Sequence, residues 1–200
     1  MDREKLTFAL NALRSYNDIP VEEWDKASLY LKETVLEKNE YFVMQGTRPK
    51  QMAIIVSGVL RVFCLTDTGE EKTLSFRTKG QLVAAFSPFL ENKESWYSIE
   101  SLTRCSLLSF PLTVDGFNRF MAGHPCWRDL YRNYMVRLYI EKEDRERSFL
   151  MEDAKTRYLQ FQKRYPELEK KIHQFHIASF LGISPVSLSR IRAALKKTLN

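Results

Sequence analysis

The stretch MAIIVSGVLRVFCLTDTGEEKTLSF, residues 52–76, reads as three short strands cut by two turns. Aliphatic and aromatic residues dominate 52–56 and 59–65 and recur in 72–76, while Ser57-Gly58 and Asp67-Thr68-Gly69 are turn signals. Working outward, YFVM at 41–44, WYSI at 96–99 and SLLSF at 106–110 have the same texture, with further turns at Gly46 and Lys79-Gly80. Six or more short strands at this spacing predict an antiparallel roll over about residues 36–111.

Helical patterns flank the roll. Leu6, Leu10, Leu13 and Tyr16 recur at three- and four-residue steps, and a second short helix carrying Trp24 and Leu31 is expected after Pro20, which suits a first helical turn. Beyond the roll, a long helix is predicted from Pro125. Trp127, Tyr131, Tyr134 and Leu138 step like a coiled-coil seam, and Leu130 and Met135 widen it. These six residues are the expected dimer interface; packing of the same stripe on the chain's own roll also satisfies the spacing. The continuation EKEDRER at 141–147 is charged all round before Phe149, Leu150 and Met151 restore the stripe.

The remainder is basic. Residues 1–153 hold 21 Lys and Arg against 23 Asp and Glu, whereas 154–200 hold 10 against 2, a balance of +8 within a chain of net charge +6. Apolar residues at helical spacing interleave that charge, so the segment is a folded domain suited to a polyanion rather than a solvated tail. Within it, IASFLGISPVSLSRI (177–191) predicts two helices and a tight bend. Gly182 permits the left-handed C-cap, Ser184 stands as N-cap, Pro185 fits the first turn, and Ala178 lets the helices approach. Ile177, Leu181, Ile183, Leu188 and Ile191 fall where the pair would be buried.

This helix-turn-helix pattern makes double-stranded DNA the expected partner. Arg190 is the candidate for a bidentate guanine contact and Val186 for a thymine methyl, with Ser184, Ser187 and Ser189 donating to phosphates. Pro185, Arg192, Lys196, Lys197 and a phosphate-facing His176 complete the candidate surface. A helical hairpin that only packs is the competing reading.

The order of elements, together with LEKNEYFVMQG (36–46), residues 52–76, KGQLVAAFSPFL (79–90), RYLQFQKRYPELEKKI (157–172) and IASFLGISPVSLSRIRAAL (177–195), resembles bacterial regulators related to the cyclic AMP receptor protein and the fumarate and nitrate reductase regulator. The resemblance implies an α+β chain: a cyclic-nucleotide-binding-like sensor domain (1–124) with a jelly-roll or double-stranded β-helix core, a long dimerisation helix (125–151) and a helix-turn-helix domain (152–200). It further implies a homodimer on a pseudo-palindromic site, with RNA polymerase as a further partner.

The resemblance also places an effector pocket at Gly80, Gln81, Ala84, Ala85, Phe86, Ser87, Ser95 and Tyr97. Relatives that bind cyclic AMP hold its phosphate with a glycine-glutamate pair and an arginine, where this sequence has Ala84, Ala85 and Ser95. Cyclic nucleotide binding in the usual mode is therefore not expected, no cofactor is assigned, and the effector is unidentified. Relatives also continue into a β-hairpin wing; only about two turns separate Arg192 from Asn200, so a reduced wing and a greater reliance on dimerisation are expected. A sensor module that binds a ligand or protein and no longer reads DNA is the alternative.

Other classes find little support. Enzymes on a β-roll use histidine and acidic clusters, and residues 36–110 contain no histidine. His173 and His176 lack a third metal ligand nearby, and no cysteine precedes Cys64 to build an iron–sulfur site. Cys64, Cys105 and Cys126 are too scattered for a disulfide framework and are expected to be reduced and mostly buried. A charged N-terminus and the lack of any run near ~18 apolar residues point away from the membrane and to the cytoplasm.

Overall fold

The computed structural model describes residues 2–111 and 113–198, and the backbone alone at Thr198. Helices α1 (Arg3–Arg14) and α2 (Val21–Ser28) precede eight strands: β1 (Lys32–Leu36), β2 (Tyr41–Val43), β3 (Gln51–Ser57), β4 (Val59–Leu65), β5 (Glu71–Thr78), β6 (Leu82–Val83), β7 (Ser98–Ser101) and β8 (Cys105–Pro111). Helix α3 (Phe86–Leu90) interrupts them after β6. Helices α4 (Val114–Ala122), α5 (Pro125–Met151), α6 (Ala154–Arg164), α7 (Gln174–Leu181) and α8 (Pro185–Thr198) follow, with a single 3-10 turn at Leu168–Lys170.

The strands form two four-stranded sheets, β1-β8-β3-β6 and β2-β7-β4-β5, with every pairing antiparallel. Alternation along β3 sends Ala53 and Ile55 between the sheets, where they meet Leu60, Ile99 and Leu107, and Ile54 outward. The outward face of the first sheet is covered by α1, α2 and α5, with Ala9, Leu13, Trp24 and Leu108 in the contact. The outward face of the second is covered by the C-terminal helices, where Val59 and Phe76 join Tyr158, Phe161, Tyr165 and Ile177.

The expected dimer stripe needs correction. Trp127, Leu130 and Tyr134 are buried against α1, α2 and the first sheet of the same chain, and Tyr131, Met135 and Leu138 pack on that core. Intramolecular packing is what their spacing marks. The opposite side of α5 is the open one: Val136, Tyr139 and Ile140 are 51%, 66% and 49% exposed, and Leu150 and Met151 still more so.

Several short elements differ from expectation, among them α3 and β6, which the sequence did not mark. Helix α4 lies between the expected end of the roll and the expected long helix, where the sequence patterns assign no element; Thr113 caps it by accepting the Gly116 N–H at 3.1 Å. Strand β7 starts two residues later than WYSI suggests, and β1 begins before residue 36. All three cysteines are free, and Cys105 and Cys126 are buried.

Candidate nucleic-acid interface and effector site

The bend of the C-terminal helix pair is built by its own backbone. Gly182 adopts φ 69° and ψ 33°, and the Ile183 N–H reaches back to the Ala178 carbonyl at 3.0 Å, closing the end of α7. A side chain at Gly182 would place its Cβ 2.5 Å from the Phe149 ring of α5, so both the conformation and the space require glycine. Ser184 then caps α8 through the Ser187 N–H at 3.1 Å, and Pro185 opens the helix. Ile177, Ala178, Leu181 and Leu188 are buried, which seats α8 on α7.

On α8, Val186 is 60% exposed, and Ser189, Arg190, Lys196 and Lys197 are also exposed. Ser184 and Ser187 bond to one another at 2.9 Å at the start of the helix. Arg192 departs from the expected surface: its Nε lies 3.0 Å from Glu169, whose carboxylate also accepts from Tyr158 Oη at 2.7 Å. That guanidinium fastens α8 to the turn before α7, and Glu169 neutralises it. It is therefore removed from the candidate contact set.

His176 also departs. It lies on the side of α7 that faces the roll and lines a cleft of about 500 Å3 with Lys38, Asn39, Leu102, Lys171 and His173. Burial, reinforced by nearby Arg61, lowers the imidazole to about 4, so it is neutral at physiological pH. A neutral, half-buried imidazole wedged against the roll has no claim on a phosphate.

What holds the head to the roll was not visible in the sequence. Ser179 Oγ accepts the Thr73 N–H at 2.9 Å and donates to the Glu71 carbonyl at 3.0 Å, coupling α7 to β5. Phe76 of β5 meets Phe161, Tyr165 and Phe180 at ring separations of 6.2, 6.0 and 5.3 Å. Arg145 of α5 stacks over Phe180 and Phe149 and donates to the Thr73 carbonyl at 3.1 Å. Burial lowers its guanidinium to about 10, still charged at neutral pH.

Beside this contact, the fully buried Arg61 pairs with Glu71 at 2.6 Å and Glu100 at 2.9 Å, and its Nε donates to Thr73 Oγ1 at 2.9 Å. Burial raises the Glu100 carboxyl, and Arg61 opposes that rise. The signal for Arg61 in the sequence was a charge in the middle of the apolar run VLRVFCL.

The expected effector residues do not share one pocket. Ala85 is fully buried in the core between the sheets, and Ser95 is buried with its Oγ donating to the Tyr97 carbonyl at 2.6 Å. Tyr97 is half-buried and meets Trp96 edge-to-face at 4.8 Å, and burial pushes its phenol up to about 12. Ala84 packs on the outer core rather than the inner one, and Ser87 is exposed. Gly80 and Gln81 line a groove of about 500 Å3 between α1, the β5–β6 turn and α5, where Arg77 pairs with Glu141 at 2.8 Å. Gln81 also caps that turn, accepting the Thr78 N–H at 2.8 Å. Phe86 belongs to a separate apolar cavity behind the first sheet. Among the described residues no group of His, Cys, Asp or Glu could hold a metal ion, and no helix is long and apolar enough to cross a membrane.

Residues 33–124 match the family model of the cyclic nucleotide-binding domain. A chain from Eubacterium rectale ATCC 33656, described as of the crp/fnr family, superposes with a TM-score of 0.71 at 18% identity, over 94% of this chain and 88% of that one. The c-di-GMP-responsive global regulator CLP of Xanthomonas campestris superposes with a TM-score of 0.68 at 13% identity, over 90% and 93%. The cAMP-bound PfPKA-R superposes with a TM-score of 0.51 at 15% identity, over 56% of this chain; the match spans only 40% of that longer one. No curated protein matches the chain by sequence. At these identities the likeness is one of fold: a cyclic nucleotide-binding-domain roll followed by a long helix and C-terminal helices, as in crp/fnr-type regulators.

Proposed function

We propose that this protein is a DNA-binding transcription regulator of the crp/fnr type that works as a homodimer, with α7 and α8 forming a helix-turn-helix. The observation that carries this is the face of α8. Its N-terminal half leaves Val186, Ser189 and Arg190 uncovered while Leu188 on the opposite side is buried, and Lys196 and Lys197 extend the same basic end. A recognition helix needs that division, one side seated in its own domain and the other free to enter the major groove. Arg190 is the residue for a guanine edge, Val186 for a thymine methyl, and Ser184 and Ser189 for phosphates.

The second copy would dock on the open side of α5, through Val136, Tyr139 and Ile140, and two heads would then read the halves of one pseudo-palindrome. RNA polymerase contact belongs to this reading as well. Signal sensing would not use cyclic AMP in the usual way: Ala85 is sealed in the core, Ser95 is spent on Tyr97, and neither offers a charge to a phosphate.

Selection from a random duplex pool followed by footprinting tests the proposal. The protein should enrich a two-fold symmetric sequence. Arg190→Ala should lose about 1–3 kcal/mol of preference at one position of each half-site while retaining salt-sensitive binding. Recovery of no enriched sequence would reject the reading.

A further inference from the structure

We infer that the cavity behind the first sheet is a binding site for an amphipathic carboxylate, a molecule with an apolar body and one anionic head. It lies outside the roll and is distinct from the positions where a nucleotide phosphate would be held. Its volume is about 650 Å3, within the range of roughly 300–1,000 Å3 that takes a small organic ligand.

Every wall is apolar and comes from a different element. Met52 of β3 and Phe110 of β8 form the floor, Ala27 of α2 and Tyr30 just after it one side, and Trp127 and Tyr131 of α5 the other. Helix α4 closes the top with Phe117 and Phe120, and none of its residues is buried. That helix is held by ring contacts, Phe117 to Tyr131 at 5.3 Å and Phe120 to Trp127 at 4.4 Å, so it behaves as a cover resting on aromatic faces.

The charge at the rim selects the ligand. Arg119 of α4 is the one charged residue lining the cavity among the described residues, it is exposed, and no carboxylate lines the site with it. Tyr131 brings a phenol whose ionisation burial disfavours, leaving it a neutral donor. An apolar body would therefore fill the aromatic walls, and its carboxylate would meet the Arg119 guanidinium with a charge-assisted pair. The occupant would touch α4 and α5 together, and Phe86, which lines the same cavity, links it to α3 through contacts with Tyr131 and Tyr134 at 6.2 and 5.4 Å.

Titration calorimetry of the full chain with decanoate, with decanol as the uncharged counterpart and with cyclic AMP tests this without reference to DNA. Decanoate should bind at one site per chain with a dissociation constant on the order of 100 μM. Arg119→Gln should weaken decanoate about tenfold and leave decanol unchanged. Met52→Trp, which fills the floor, should abolish both, and if that variant fails to fold the Arg119→Gln comparison decides alone. Cyclic AMP should not displace decanoate. The inference is overturned by the absence of saturable decanoate binding, by equal binding to wild type and Arg119→Gln, or by competition from cyclic AMP. Decanoate binding by a chain that selects no DNA sequence would leave the inference standing and remove the proposed function.

Discussion

Replacing Gly182 with alanine should damage both the fold and the orientation of α8, and its cost can be worked from two separable effects. The residue sits at φ 69°, where an L side chain costs about 1–2 kcal/mol. The added Cβ would also lie 2.5 Å from Phe149 Cε1 and 3.3 Å from Cζ, so the ring must move, an overpacking cost of about 1–3 kcal/mol. Phe149 cannot swing away freely, because the guanidinium groups of Arg145 and Arg157 stack over it at 4.7 and 4.9 Å. The sum, about 2–5 kcal/mol, is a large part of a typical domain stability of ~5–15 kcal/mol. Urea unfolding of wild type, Gly182→Ala, Phe149→Ala and the double variant separates the two parts. In the Phe149→Ala background the clash disappears, so Gly182→Ala should cost only the ~1–2 kcal/mol of backbone strain. An equal cost in both backgrounds would show that Phe149 plays no part. A loss under about 0.5 kcal/mol in the wild-type background would refute the left-handed cap itself.

Three further outcomes follow from the same contacts. Ser179→Ala removes both bonds between α7 and β5 and leaves the Thr73 N–H without its acceptor; about 1–3 kcal/mol should be lost, with faster amide exchange at Thr73 while the hydrogen bonds within the roll stay protected. His176 stays neutral in the folded chain down to about pH 4, against an ordinary 6.5, because of burial first and then Arg61, with His173 and Lys38 acting in the same direction and Glu71 opposing. Below 6.5 the unfolded chain takes up a proton that the folded one refuses. Its contribution is therefore complete above 6.5 and lost as the pH falls toward 4, and urea midpoints should show a drop between pH 7.5 and 5 that shrinks in His176→Gln. Val136→Glu places a charge on the open side of α5; sedimentation should show the dimer dissociation constant raised at least ~30-fold, roughly 2 kcal/mol, whereas an unchanged mass distribution would place the second copy elsewhere.

The strands of 52–76 and the Gly182 bend were legible because each is a local matter. Alternating apolar residues, a turn glycine and a capping serine act on their immediate neighbours, and the structure returns them within a residue or two. The basic quarter was equally legible, since charge is additive along the chain. Helix α4 does space Val114, Phe117, Phe120 and Met121 as a helix would, but the run is short and Gly116 interrupts it, so nothing local set it apart from a connection. Ser179 acts through Thr73 and Glu71, more than a hundred residues away, and Arg61 owes its burial partly to Glu100 on a separate strand, so no spacing rule reaches either contact.

By itself the sequence determined most of the longer strands and helices, the principal turns and where the positive charge collects. The tertiary structure decided which side of each helix meets which neighbour. On α5, apolar residues occupy both sides, so periodicity could mark two seams without saying that Trp127, Leu130 and Tyr134 serve the chain's own core while Val136 and Tyr139 remain open. His176 and Arg192 were assigned outward because they are polar, yet the packing of α7 on β5 and the carboxylate of Glu169 draw both inward. The physical reason is the same in each case: burial depends on what another part of the chain brings to the surface, and local sequence carries no record of it.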